Sequence, residues 1–235
     1  MGMPGRALAV GLAACAAIVI SGCGSSGSTS GSASAAPAEP SSTALLNSMR
    51  ASVRQASSVH IVAHLANNGT TISLNLDMHR NGDLAGTYSQ NGAPFQIISV
   101  SSTTYIKATR SFLQEMKVPS SACAAECGKW LQLTPAEASE LTGDLSMNSL
   151  ILPLTSGEAP ATEAGSKTVN GHSAWVLRSA DNSSTLEVSS ASRHYPVASS
   201  TRGSTQEAVI YSQWNTAAQP VAPPASQVLN LNNLK

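Results

Sequence analysis

Charge is scarce in this sequence. Asp, Glu, Lys and Arg make up 11% of it, under half the proportion usual in soluble domains. Basic and acidic residues number 13 each, so the formal net charge is zero. Such a chain lacks the electrostatic drive that dominates nucleic-acid binding. It also lacks the polybasic cluster that captures anionic lipid headgroups. Aromatic residues are few, at 4%, so any core must rest on Leu, Ile and Val. The apolar run at 7–20 falls short of the roughly 20 residues needed to cross a bilayer. Catalytic signatures are missing too. There is no Gly-x-Ser-x-Gly elbow, no Gly-x-Gly-x-x-Gly loop and no Walker-type Lys. Asp181, Glu187 and Glu207 are scattered without an acid–base pairing pattern. No enzyme, cofactor or metal is expected. Hydrophobic residues still reach 42% of 235, which allows one folded domain with extensions.

The N-terminus has the layout of a secretory signal. Arg6 is its positive region and 7–20 its apolar region. The stretch ends Ile20-Ser21-Gly22-Cys23, where small residues precede a thiol. This resembles the bacterial lipobox, in which the cysteine receives a diacylglyceryl group and becomes the first residue of the mature chain. Residues 1–22 are therefore read as a lipoprotein signal peptide, with Cys23 the lipid-attachment site. Residues 23–42 are read as a flexible tether: past Cys23 they are Gly, Ser, Ala, Thr and Pro with Glu39 the only charge, a composition too lean to fold. Acylation at Cys23, palmitate included, supplies the two chains that stable anchoring needs. The expected location is the outer face of the cytoplasmic membrane. Loss of 1–22 removes only Arg6, which leaves 12 basic against 13 acidic residues.

Cys123 and Cys127 remain in the mature chain. An exported chain meets an oxidising compartment, so a disulfide between them is favoured. Residues one helical turn apart lie about 6 Å apart, within bridging range. The rival, a metal or redox pair, would more often be Cys-x-x-Cys with further ligands nearby. His60 and His64 share one strand face, but about 13 Å separates same-face residues four apart, too far to chelate one metal. Trp130, Trp175 and Trp214 suit core or cavity-rim positions.

Periodicity divides residues 43–235 into helix, meander, helical insert and meander. Leu45, Leu46, Met49 and Val53 recur at helical spacing over 43–56, with Ser41 or Ser42 as cap. Alternation then takes over at 59–66 and 70–78. In the second of these, Ile72, Leu74, Leu76 and Met78 face one way and Thr71, Ser73, Asn75 and Asp77 the other. Asn67-Asn68-Gly69, Asn81-Gly82-Asp83 and Asn91-Gly92 are hairpin signals, followed by strands at 84–90, 95–100 and 104–108. Helices are predicted at 111–117, at 135–141 and at 145–154, ending near Pro153. The second starts with a capping box at Thr134 and Glu137 and Pro135 in first place. Strands resume at 174–179, 185–190, 196–201 and 207–214. Leu229, Leu231 and Leu234 are expected to pack a final segment back on the domain. The predicted fold is α+β: a strongly curved antiparallel sheet, a half-barrel, with helices covering its concave face.

The order of elements and a few short motifs resemble a known family. Ser58-Val59-His60-Ile61 and Ser73-Leu74-Asn75-Leu76-Asp77 follow an opening helix in an exported lipoprotein. Thr104-Tyr105-Ile106-Lys107, Gly128-Lys129-Trp130-Leu131 and Tyr195-Pro196-Val197 come later. Together they resemble the actinobacterial LppX and LprG type of lipoprotein, related in fold to the LolA lipoprotein carriers, over roughly 43–214. The resemblance implies a half-barrel closed by helices around a hydrophobic cavity that holds lipid. Ile72, Leu74, Leu76, Met78, Phe95 and Ile97 are the candidate cavity lining. The same side chains could instead touch one another and the helices and leave no room. Two functions follow. One is lipid binding or transfer by a membrane-anchored, non-enzymatic monomer. The other is a cell-envelope interaction or scaffold module with a filled core and an exposed apolar patch.

Overall fold

The structure, a computed structural model, describes residues 40–67, 69–115, 128–143, 145–156, 161–201 and 207–230. Cys23, Cys123 and Cys127 lie outside the described residues, as do the signal segment, nearly all of the tether, Leu231 and Leu234.

Helix α1 (Ser42–Gln55) opens the fold. The Ser41 hydroxyl accepts from the Ala44 amide at 3.3 Å and so satisfies one amide that a helix start leaves open. Leu45, Met49 and Val53 sit four apart, fall on one stripe and are all buried. At the far end Arg80 donates to the carbonyls of Val53 and Ala56 at 2.8 and 2.6 Å. The Val53 carbonyl also accepts from the Ala56 amide at 3.2 Å, so Arg80 adds to the pairing of a helix end whose last carbonyls are otherwise left open.

Five strands follow as hairpins: β1 (Ser58–Asn67), β2 (Thr70–His79), β3 (Leu84–Gln90), β4 (Ala93–Val100) and β5 (Thr103–Ala108). The middle holds α2 (Arg110–Glu115), β6 (Trp130–Gln132), α3 (Pro135–Thr142) and α4 (Met147–Ser156). A second run comprises β7 (Ala161–Val169), β8 (His172–Ser179), β9 (Ser184–Ser189), β10 (Pro196–Thr201) and β11 (Glu207–Ser212). A short 3-10 turn (Ala225–Gln227) then leads into β12 (Val228–Asn230). The capping box is present: the Thr134 hydroxyl accepts from the Glu137 amide, and the Glu137 carboxylate accepts from the Thr134 amide at 2.9 Å.

These strands form one sheet, in the order β12-β6-β5-β4-β3-β2-β1-β11-β10-β9-β8-β7. It is α+β and mostly antiparallel, and it is not closed into a barrel, since β12 and β7 are its edges. The two meanders join where β1 pairs with β11, with Ile61 opposite Tyr211 and Ala63 opposite Val209.

One face is apolar. Ile61 pairs with Leu76 and Val59 with Met78, all at most 1% exposed. Leu76, Gly86 and Ile97 form one row across β2, β3 and β4. Gly86 has a φ of +150°, and a Cβ there would run into the Asn75 carbonyl oxygen and lie 2.9 Å from the Leu76 Cα. The row therefore requires glycine. Leu45 and Met49 of α1 and Met147 and Ile151 of α4 join the same core. Each fully buried Leu, Ile or Met contributes about 1.5–3 kcal/mol. The other face is polar: His60 meets Asp77 at 2.8 Å and His64 meets Ser73 at 3.1 Å.

Four details depart from the sequence reading. Strand β7 was not expected; it is an edge strand, largely exposed, with a register shift between Glu163 and Ser166, so no apolar alternation announces it. Strand β12 packs back as expected of Leu229, but as a strand parallel to β6. Helix α4 continues beyond Pro153, because burial of Met147 and Ile151 outweighs what a proline removes from a helix. Ser101 and Ser102, both at positive φ, make the β4–β5 turn without the Asn-Gly signal that marks such turns.

Candidate functional site

A cavity of about 460 Å³ lies between the flanks of α1 and α4 and the apolar face of β8 to β11. Leu45 and Met49 point into the core, so Leu46 and Arg50, one position on, fall on the helix flank and line the cavity. From α4 the lining side chains are Ser149, Leu150 and Leu154. The register builds the opposite wall in rows. Leu177, Leu186, Ser199 and Val209 stand opposite one another across β8, β9, β10 and β11. Ser184 and Thr201 form the row toward the strand ends. In the other direction Tyr211 lies two residues beyond Val209 on the same face.

Two pairs of hydroxyls in this wall meet each other. The Ser199 and Tyr211 hydroxyls lie 3.1 Å apart, and those of Thr185 and Ser200 lie 2.6 Å apart. Burial pushes the Tyr211 phenol pKa up, against the Ser199 hydrogen bond, which lowers it, so the phenol stays neutral. The lining is leucine-rich, with these hydroxyls paired to one another and the Arg50 and Arg178 side chains also at the cavity. It accepts methylene groups, each gaining about 0.8 kcal/mol on burial. The volume is within the range of about 300–1,000 Å³ typical of ligand sites.

A second cavity of about 470 Å³ lies toward the other end of the same strands. The β7–β8 turn, the β9–β10 loop and the end of β11 enclose it. Tyr195 and Trp214 line it as a stacked pair with centroids 4.8 Å apart. The Trp214 indole N–H donates to the Pro196 carbonyl at 2.9 Å.

The six candidate lining residues are brought together on one face of β2 and β4. Leu74, Leu76, Met78, Phe95 and Ile97 are buried in the packed core, and Ile72 packs against it partly buried. Neither cavity is lined by any of the six; both are lined by β8 to β11, the first also by the helix flanks and Leu65 of β1, and the second also by Val169 of β7. The sequence carried a weaker signal there, because Ser179, Ser184, Ser199 and Thr201 interrupt the apolar alternation. Trp130 is buried in β6 with the Lys107 ammonium 5.8 Å from its ring centroid. Trp175 packs against the core and Trp214 lines the second cavity. Among the described residues no group of three or more His, Cys, Asp or Glu is placed to hold a metal ion.

Neither a family model nor a curated protein sequence matches the chain. Among solved structures, LprF from Mycobacterium bovis superposes with a TM-score of 0.53 at 13% identity, over 77% of this chain and 96% of that one. The lipoprotein LppX from Mycobacterium tuberculosis gives 0.49 at 19% identity, over 77% and 100%. A LolA superfamily protein from Nitrosomonas europaea gives 0.25 at 10%, over 77% and 96%. The likeness to LprF is one of fold; the two lower scores carry no weight.

Proposed function

We propose that this chain is a lipoprotein, anchored through Cys23 to the outer face of the cytoplasmic membrane, whose domain binds or transfers a lipid or other long apolar ligand. The observation that carries this reading is the leucine-lined cavity between α1, α4 and β8 to β11. The lipobox-like Ile20-Ser21-Gly22-Cys23 and the tether behind it support the anchor, and the fold shared with LprF is consistent with both. In this reading the sheet is bent as a half-barrel with α1 and α4 over its concave face. Ile72, Leu74, Leu76, Met78, Phe95 and Ile97 continue the apolar face beside the ligand. The protein acts as a monomer without catalysis, and a Cys123–Cys127 disulfide clips the helical insert. A scaffold module with a filled core would instead need an exposed apolar patch. Among the described residues the exposed large hydrophobics are Ile210 and Val221.

Filling the cavity tests the reading. Leu150 lines it from a partly buried helix position, so Leu150→Trp occupies the space with little effect on the sheet. Uptake of an environment-sensitive fluorescent fatty acid should fall at least about tenfold, the equivalent of losing two buried methylenes or more. Undiminished uptake by a folded variant would exclude this cavity as the site.

A further inference from the structure

Tyr211 belongs to both cavities. The register explains why. Along β11 the first cavity occupies the level of Val209 and the row beyond it, where Thr201 faces Glu207. The second begins at Tyr211 and continues through Ser212, Gln213 and Trp214. Tyr211 is 4% exposed and stands across the trench between them. Its hydroxyl meets Ser199, a residue of the first cavity, and its ring packs against Trp214 of the second, with centroids 6.2 Å apart.

We infer that Tyr211 is a partition that sets how long an apolar chain the first cavity accepts, with the second cavity as the volume behind it. This rests on the ligand reading above. From the Glu207 level to Tyr211 is four residues, a depth of about 13 Å at 3.2–3.4 Å per residue. A linear acyl chain entering from the strand ends crosses the row of Leu177, Leu186 and Val209 and then meets the phenol ring. Beyond it, Val197, Tyr195 and Trp214 offer further apolar wall. That wall is fixed: Gln213 and Asn215, on either side of Trp214, both have left-handed backbones, with φ of 50° and 63°, and surrounding contacts must hold such a conformation in place. Tyr211 is oriented by one hydroxyl–hydroxyl contact and by packing against Trp214 within regular strand β11, so the partition, rather than the chamber behind it, is the part that substitution can remove.

The test titrates the full chain carrying Cys23→Ala with saturated fatty acids of increasing length. Each methylene buried multiplies affinity by about fourfold. Wild-type affinity should climb with length and level off when the chain end reaches Tyr211. In Tyr211→Ala the climb should continue, so that acids about four carbons beyond the wild-type limit bind at least about tenfold tighter than they do to wild type. Tyr211→Phe keeps the wall and should leave the limit in place. Adding Ala191→Trp, which fills the second cavity from its loop, should restore the limit in the alanine variant. Should Tyr211→Ala fail to fold, Tyr211→Leu shortens the wall while keeping the site apolar. An unchanged limit in a shortened variant that still binds overturns the partition and leaves the cavity reading standing. Absence of binding by the wild type at every length removes both.

Discussion

The indole of Trp214 lies over the phenol of Tyr195, ring centroids 4.8 Å apart and planes within 7° of parallel. The pair is held at both ends. Trp214 donates to the Pro196 carbonyl, and the Asn215 side-chain amide donates to the Tyr195 hydroxyl at 2.8 Å. The Asn215 carbonyl oxygen in turn accepts from the Ser57 amide at 2.7 Å. One side chain thus ties the end of β11 to the entry of β1 and to the β9–β10 loop, and it fixes one wall of the second cavity.

Asn215→Ala removes these hydrogen bonds together with a third, from the Ser57 hydroxyl at 3.1 Å, and places alanine at a φ of 63°. Three lost hydrogen bonds and a strained backbone together should cost about 2–4 kcal/mol. Urea unfolding of the variant measures this as a lower midpoint with an unchanged slope. A midpoint equal to wild type would mean that Asn215 fastens nothing.

Gly86→Ala should be far worse. Its Cβ would collide with backbone of the neighbouring strand β2, in the middle of the sheet where neither strand can shift without losing its register. The expected loss is about 4 kcal/mol or more, seen as failure to recover folded protein or as a collapsed thermal midpoint. Gly82→Ala has open space around its Cβ and is the control; its φ of 93° limits the cost to about 1 kcal/mol.

The β8–β9 turn should titrate at unusually low pH. Asp181 accepts from the Ser179 hydroxyl at 2.6 Å, then from the Ser183 amide and hydroxyl at 3.0 and 2.8 Å. These bonds, that from Ser179 foremost, lower its pKa from 3.8 to about 2. A folded pKa below the unfolded one means that the unfolded chain binds more protons in between, so stability rises with pH across this window. The turn's contribution is complete above 3.8 and is lost as pH falls through about 2. An NMR titration of the Asp181 carboxyl carbon should show the low midpoint, and Ser179→Ala should move it back upward. A wild-type midpoint at 3.8 would contradict the three-bond geometry.

Two covalent features can be read from one intact mass of the membrane-extracted protein. The mature chain should begin at Cys23, carry the mass of its acyl chains, and lie two hydrogens below the fully reduced chain for a Cys123–Cys127 bridge. Cys23→Ala should release the protein from the membrane fraction. An unacylated chain cleaved elsewhere would remove the anchor from the proposal.

The sequence made the first meander legible because β2 alternates without interruption and Asn-Gly turns punctuate the strands beside it. Leu45, Met49 and Val53 likewise announced the buried stripe of α1. Strand β7 stayed hidden, since Thr162, Ser166 and Lys167 face solvent and nothing apolar alternates. The two cavities lie apart from the six candidate lining residues for a related reason. Leu74, Leu76 and Ile97 carry the strongest apolar signal and so pack most completely. Open space remains where the signal is weaker, beside Ser199 and Leu186. Which strands come together was also beyond local pattern: β1 beside β11 joins residues far apart in the chain, and that pairing places Tyr211 opposite Ile61.

The most direct test is native mass spectrometry of the full chain carrying Cys23→Ala, purified without detergent from a host with similar lipids. A lipid carrier shows a second species, heavier by a discrete lipid mass, that disappears after organic extraction and returns when phospholipid or triacylglycerol is added. A clean apo mass that takes up neither would contradict a ligand cavity between α1, α4 and β8 to β11.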